Sequence, residues 1–189
     1  MTASIRKFIF ALAATCVVQG ASPCSLSNRS IYQLDQAWTD DAGRTMKLAA
    51  LQGHPVVLAM FYTQCPYACP MIVAAMRRIQ AALPEAERRK TCFILVSFDS
   101  AHDTSAVLHA YRQEIDLPYD TWILAHGDTD AVRELAMILG VKYQKSGKDQ
   151  YAHSNLITVL NDRGEIAYQR TGLQGDDSAV VAAIVHTDK

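Results

Sequence analysis

The sequence predicts an α/β domain of three layers, a central mixed sheet between helices, entered through an N-terminal β-hairpin. Three observations predict it. Two continuous apolar runs of strand length, residues 55–62 (PVVLAMFY) and 92–98 (CFILVSF), suit strands buried on both faces. A helical pattern follows each run, which demands parallel neighbours and right-handed crossovers. The chain has 189 residues, half of them hydrophobic and 20% charged, enough for one domain with a real core and a leader.

The elements follow in order. Residues 1–22 have the layout of a secretory signal: Arg6 and Lys7, an apolar run over 8–18, then the small residues Gly20, Ala21 and Ser22. That run would cover only ~17 Å as a helix, against a hydrocarbon core of ~30 Å, so a cleaved leader is expected and not a membrane anchor. Residues 23–30 are small and polar and read as a linker to a domain over 31–187. A hairpin comes first, with strands over 31–38 and 45–48 around the turn Asp40-Asp41-Ala42-Gly43. After the strand 55–62, residues 70–83 place Met71, Ala74, Ala75, Ile79 and Leu83 at helical spacing, and Pro84 ends the helix. The strand 92–98 leads to a helix over 104–115 with Asp103 as its cap. A short strand over 121–124 and a helix over 129–139, closed by Gly140, come next. Strands 155–160 and 165–170 flank the turn Asn161-Asp162-Arg163-Gly164, and a helix over 176–186 ends the domain. This is the order of a thioredoxin-like sheet with a leading hairpin and added helices.

Charge excludes one class of partner. The formal net charge is -1, and without Arg6 and Lys7 the 18 basic residues fall to 16 against 19 acidic ones. No basic stripe is present, so no nucleic-acid partner is expected.

Five cysteines invite a closer reading, because export places them in an oxidising compartment. Cys16 leaves with the leader. Cys24 reads as a lipid anchor, a dimer link or a free thiol, although Pro23 before Cys24, like Thr15 before Cys16, fits poorly the small residue a lipidation site takes. Cys92 opens an apolar strand and reads as a small buried hydrophobe. Cys65 and Cys69 stand directly after a buried strand and directly before a helix, the place where open α/β sheets bind ligands. Pro70 suits the first helical position, making Cys69 the expected N-cap. Unpaired N–H groups at a helix start favour a thiolate, and the three-residue gap folds both sulfurs to one side. They can then share a metal or close a disulfide. A plain structural staple is the third alternative, but so short a loop constrains little of the unfolded chain.

Of the histidines at 54, 102, 109, 126, 153 and 186, His153 is best placed. It precedes the strand 155–160 and follows the flexible stretch 146–149, so a loop can carry it over the sheet edge toward the cysteines. His102, beside Asp99 and Asp103, is the second candidate. Two thiolates and one imidazole form a soft donor set that selects copper, with an open position that suits transfer. The methionines at 46, 60, 71, 76 and 137 form no metal motif and read as core.

Four segments carry a resemblance: residues 53–58 (GHPVVL), 61–70 (FYTQCPYACP), Ser97-Phe98-Asp99 with Asp103-Thr104, and His153-Ser154 with Asp162-Arg163-Gly164. With them the chain resembles the Sco/SenC proteins, copper-binding relatives of thioredoxin involved in assembling cytochrome c oxidase. The resemblance covers residues 31–186. It implies Cys65, Cys69 and His153 as ligands of one copper ion per domain. It implies receipt of copper outside the cytoplasm, from an upstream donor, and delivery to the dinuclear copper centre of an oxidase subunit. The implied location is the periplasm or another exported space, with membrane association only through lipidation or a retained leader. Some relatives instead look like thiol–disulfide reductases of the acceptor's cysteines, which would make Cys65 and Cys69 catalytic and leave His153 dispensable. A peroxidase resemblance stops at the fold, since no peroxide-binding signature surrounds Cys65. Two departures stand out: Tyr67 where the family often has an acidic residue, and Ala152 where it often has Asp before the histidine. Asp149 is the candidate to replace that carboxylate in orienting the ring.

Overall fold

The structure is a computed structural model, and it describes residues 26–147 and 150–187. The expected leader, Cys16, Cys24 and Asp149 lie outside the described residues. The strands are β1 (Trp38–Asp40), β2 (Thr45–Met46), β3 (Val56–Phe61), β4 (Cys92–Ser97), β5 (Trp122–His126), β6 (Tyr143–Gly147), β7 (Gln150–His153), β8 (Leu156–Leu160) and β9 (Ile166–Thr171). The helices are α1 (Ala68–Ala82), α2 (Glu85–Lys90), α3 (Ser105–Glu114), α4 (Thr129–Leu139) and α5 (Asp177–His186).

Seven strands form one mixed sheet in the order β2-β1-β5-β4-β3-β8-β9, while β6 and β7 pair apart from it. The three central strands β5, β4 and β3 are parallel, as the intervening helices require. On either side β1 and β8 run antiparallel to them. All six residues of β3 are buried, and so are the last five of β4. Strands buried on both faces need helices over both, which is the three-layer arrangement expected. Helix α1 turns Ile72, Val73, Ala75, Met76 and Ile79 inward and packs beside α5.

Three expectations are corrected. Of residues 31–38, expected as a strand, only Trp38 joins one, as the first residue of β1. Ile31–Gln33 make a 3-10 turn capped by Ser30, whose Oγ accepts the Tyr32 N–H, and the chain then runs extended into β1. Tyr32 lies flat over Gly164, where a Cβ would come within 2.5 Å of its ring. The apolar residues here serve packing and not pairing. Ser27, in the stretch read as linker, already bonds to Glu165. Helix α2 and the β6–β7 hairpin were not expected: α2 buries none of its residues and so has no apolar period to detect. Of the methionines read as core, Met60 and Met76 are buried but Met71 and Met137 are exposed.

The hairpin turn also hides an ion pair. Asp41 is buried and takes two bonds from Arg112, from Nε at 2.6 Å and from Nη2 at 2.9 Å. Arg112 donates further to the carbonyls of Leu117, Pro118 and Trp122. It thereby joins the leading hairpin, the end of α3 and β5. Arg112→Leu leaves that carboxyl buried without its two-bond partner, and urea unfolding should show a loss of about 3–5 kcal/mol. Pairing it with Asp41→Leu should recover much of the loss.

Candidate metal and thiol site

The site begins where β3 leaves the core. Asp103 receives the backbone N–H of Thr63 at 3.0 Å and the hydroxyls of Thr63 and Ser97, each at 2.5 Å. This one carboxyl ties the end of β3 to the end of β4. It was expected to cap α3, but Thr104 does that, its side chain accepting from Val107 N–H. Past Thr63 the chain turns, with Cys65 N–H on the Tyr62 carbonyl at 3.3 Å, and enters α1.

The helix starts at Ala68 with Tyr67 at the cap position, so Cys69 and Pro70 both lie inside the first turn. The expected Cys69 cap is therefore corrected. Proline is tolerated throughout the first turn, where N–H groups have no helical acceptor. Tyr67 offers no side-chain bond, and the Cys65 sulfur takes the capping role, accepting the Cys69 N–H at 3.3 Å.

His153 arrives from another element. It is the last residue of β7, not a loop residue as expected. Its Nε2 lies 3.8 Å from Cys65 Sγ and 3.9 Å from Cys69 Sγ. The three donor atoms all fall within 4.8 Å of one another. A soft metal held at ~2.0–2.3 Å by sulfur and nitrogen keeps adjacent donors ~3.5–4 Å apart, so the set needs little movement to close on one ion. The ring stands edge-on to Tyr62, with centroids 5.9 Å apart, and tilts on Phe98 at 5.2 Å. Its Nδ1 faces the Ser154 carbonyl at 3.2 Å. That backbone oxygen fills the orienting role for which Ala152 has no carboxylate, leaving Nε2 for the sulfurs. His102 is elsewhere, its Nδ1 2.9 Å from both carboxyl oxygens of Asp99.

The two thiols are unequal. Cys65 is 8% exposed and Cys69 fully enclosed. Burial pushes the Cys65 thiol up, but the His153 ring, the N–H groups of Cys69 and Tyr67 and the Cys69 thiol outweigh it, and the pKa falls to about 7. Burial dominates at Cys69 and, with the nearby Cys65 sulfur, raises its pKa far above the ordinary thiol value. Burial likewise lifts Cys92 to about 12, although the residue expected to be a buried small hydrophobe is only half-buried against the core. Tyr62, Cys65, Pro66, Tyr67, Ala152 and His153 line an open cleft of about 420 Å³. A larger cavity of about 600 Å³ lies behind the β6–β7 hairpin and contains neither cysteine, so size does not mark the chemistry here.

A family model described as SCO1/SenC matches residues 27–187. The chain belongs to the SCO1/SenC family. A curated protein of Stutzerimonas stutzeri, provisionally named as copper-binding, is 25% identical over 142 residues, covering 73% of this chain and 67% of that one. Yeast Sco1, solved with copper bound, superposes with a TM-score of 0.67 at 21% identity, covering 81% of this chain and 86% of its own. BsSco, described as a Sco-family cytochrome c oxidase assembly protein with a disulfide switch, gives a TM-score of 0.70 at 20% identity, covering 80% and 90%. These structures share the fold. Within this SCO1/SenC domain, Tyr67 is 80% exposed at the rim of the cleft, where it meets solvent and not the donor atoms.

Iodoacetamide alkylation of the reduced, metal-free domain should separate the thiols. Cys65 should react faster as pH rises through about 7, because the thiolate is the nucleophile. Cys69 should remain slow over the same range. His153→Ala removes a contact that lowers the Cys65 pKa, so the midpoint should move upward; peptide mass spectrometry reads each cysteine.

Proposed function

We propose that this SCO1/SenC domain is an exported copper metallochaperone. It takes one copper on Cys65, Cys69 and His153 and passes it to the dinuclear copper centre of an oxidase subunit. The convergence of two sulfurs and one imidazole nitrogen, with Cys65 and His153 lining an open cleft and Cys69 enclosed beside them, carries this reading. Thiolate and imidazole are the donors copper prefers. Three protein donors leave room for a ligand of the acceptor to enter before the carrier's own ligands leave. The copper held by the yeast relative supports the same reading. Among the described residues no helix is long and apolar enough to cross a membrane.

Titration of the reduced domain with copper(I) against a chromophoric chelator tests it. One ion per domain is expected. His153→Ala should weaken binding more than tenfold, while His102→Ala should change it less than threefold. Equal losses would reject the ligand assignment.

A second reading, thiol–disulfide reduction of the acceptor's cysteines, is favoured by the inequality of the two thiols. The Cys65 thiolate would attack the acceptor disulfide, forming a mixed disulfide and releasing one acceptor thiol. Cys69 would then lose its proton, attack the Cys65 sulfur and release the second thiol, leaving Cys65–Cys69 oxidised. His153 is not a bystander here, because its ring lowers the Cys65 pKa. Copper-free reduced domain mixed with a disulfide peptide gives the check. A reductase should reduce one equivalent of peptide disulfide per domain, Cys69→Ser should trap the mixed disulfide, and His153→Ala should slow the reaction several-fold at pH 7 but little at pH 9. An inert wild-type domain would leave only the carrier.

A further inference from the structure

Two of the three donors sit on the rigid corner between β3 and α1, but His153 sits on a ribbon outside the main sheet. A two-stranded hairpin is marginal alone. At its base, Ser154 N–H meets the Lys142 carbonyl at 2.8 Å and Lys142 N–H meets Ser154 Oγ at 2.9 Å. Something further along must hold β7 against the cysteine loop.

Tyr151 is placed to do so. It lies two residues before His153 on β7, and residues two apart share a strand face. Its ring packs against Tyr62 at 5.2 Å and Phe98 at 5.3 Å, the same two rings that flank His153. Its hydroxyl donates to Asp99 Oδ1 at 3.2 Å, and its backbone N–H donates to Tyr62 Oη at 3.4 Å. Both bonds are long, so the ring contacts supply most of the hold and the bonds supply direction. Tyr62 directly follows β3, at the end that carries the cysteine loop, and Asp99 lies two residues past the end of the neighbouring strand β4. Asp99 is buried and itself fixed, its N–H on Ser97 Oγ at 3.0 Å and its carboxyl against His102.

We propose that Tyr151 is the positioning residue of the site: clasped by Tyr62, Phe98 and Asp99, it sets the β7 ribbon so that the His153 ring meets the two sulfurs. The inference deepens the copper-carrier reading and rests on it for its metal-bound consequences. It also has a consequence without metal, because loosening the clasp frees the ribbon and not the sheet.

The full domain tests it with two variants, Tyr151→Phe, which keeps the ring, and Tyr151→Ala, which removes it. In metal-free protein, amide hydrogen exchange over residues 143–153 should quicken about threefold in the first and more than tenfold in the second, with β3 and β4 unchanged. Copper(I) affinity, read against a chromophoric chelator, should fall about threefold and more than tenfold respectively. Both losses should vanish when His153 is already Ala, since a residue acting through the ring is not additive with it. Asp99→Asn keeps an acceptor for the phenol and should behave as wild type in ribbon exchange, while Asp99→Ala should match Tyr151→Phe. Native ribbon exchange in Tyr151→Ala overturns the proposal, as does an equal affinity loss with and without His153. Should the wild-type domain take up no copper, the carrier reading fails alone, and the metal-free exchange still decides the role of Tyr151.

Discussion

The site depends on one constraint: β3 and β4 are buried along their length yet must both end at the same edge. Asp103 meets it. By taking the Thr63 N–H and the Thr63 and Ser97 hydroxyls, it locks the two strand ends in register, and the turn that carries Cys65 is built on that lock. A carboxyl that is 1% exposed is tolerable only with its acceptor sites filled. Here the partners that fill them also place the sulfur-bearing turn. Stability and chemistry therefore meet in a group that touches neither metal nor substrate.

The inequality of the thiols follows from that corner together with the His153 ring, the first of the contacts that lower the Cys65 pKa. The start of α1 points its unpaired N–H groups toward the preceding turn, where Cys65 lies, and so they favour the Cys65 thiolate. Cys69 rides inside the helix and is enclosed by the core, where no charge is welcome. The proposed metal and redox roles would both use Cys65 as the accessible sulfur. His153 joins the two: in the metal-free state its ring faces the Cys65 sulfur, and a bound metal would take the same nitrogen. On the proposed copper reading, metal uptake would also release protons from the thiols, above all from Cys69, whose pKa is raised.

Much of this was legible in the chain. The long apolar runs marked the central strands, and Gly140 marked the end of α4, where its φ is +73°. Cys65, Cys69 and His153 were singled out, and the fold brings all three together. What escaped detection shares a physical cause. Ile31, Tyr32 and Leu34 are buried by packing, Tyr32 over Gly164, and composition does not tell packing from pairing. Asp41 looks like an ordinary turn residue until Arg112, distant in sequence, reaches it. The β6–β7 ribbon carries polar residues on its outer face and has a burial pattern weak enough to read as a loop. Yet Tyr143, Tyr151 and His153 do turn toward Phe98, and the Tyr151/His153 alternation was the available signal.

The division of the donors between two elements bears on what the site is for. A permanent metal store gains from ligands on one rigid frame, since each loose ligand lowers affinity. Here the sulfurs share the helix corner, while the imidazole comes from a ribbon paired only with itself. Withdrawing the imidazole requires local opening of that ribbon and leaves the seven-stranded sheet paired, so its free energy lies well below that of unfolding. A donor set that releases one ligand at such low cost is suited to handing its ion on, and the open cleft beside Cys65 is where an incoming ligand would take over. The Ser154 carbonyl and the aromatic rings around His153 keep the imidazole aimed at the two sulfurs. On the proposed carrier reading, holding and release would fall to different parts of the same small fold.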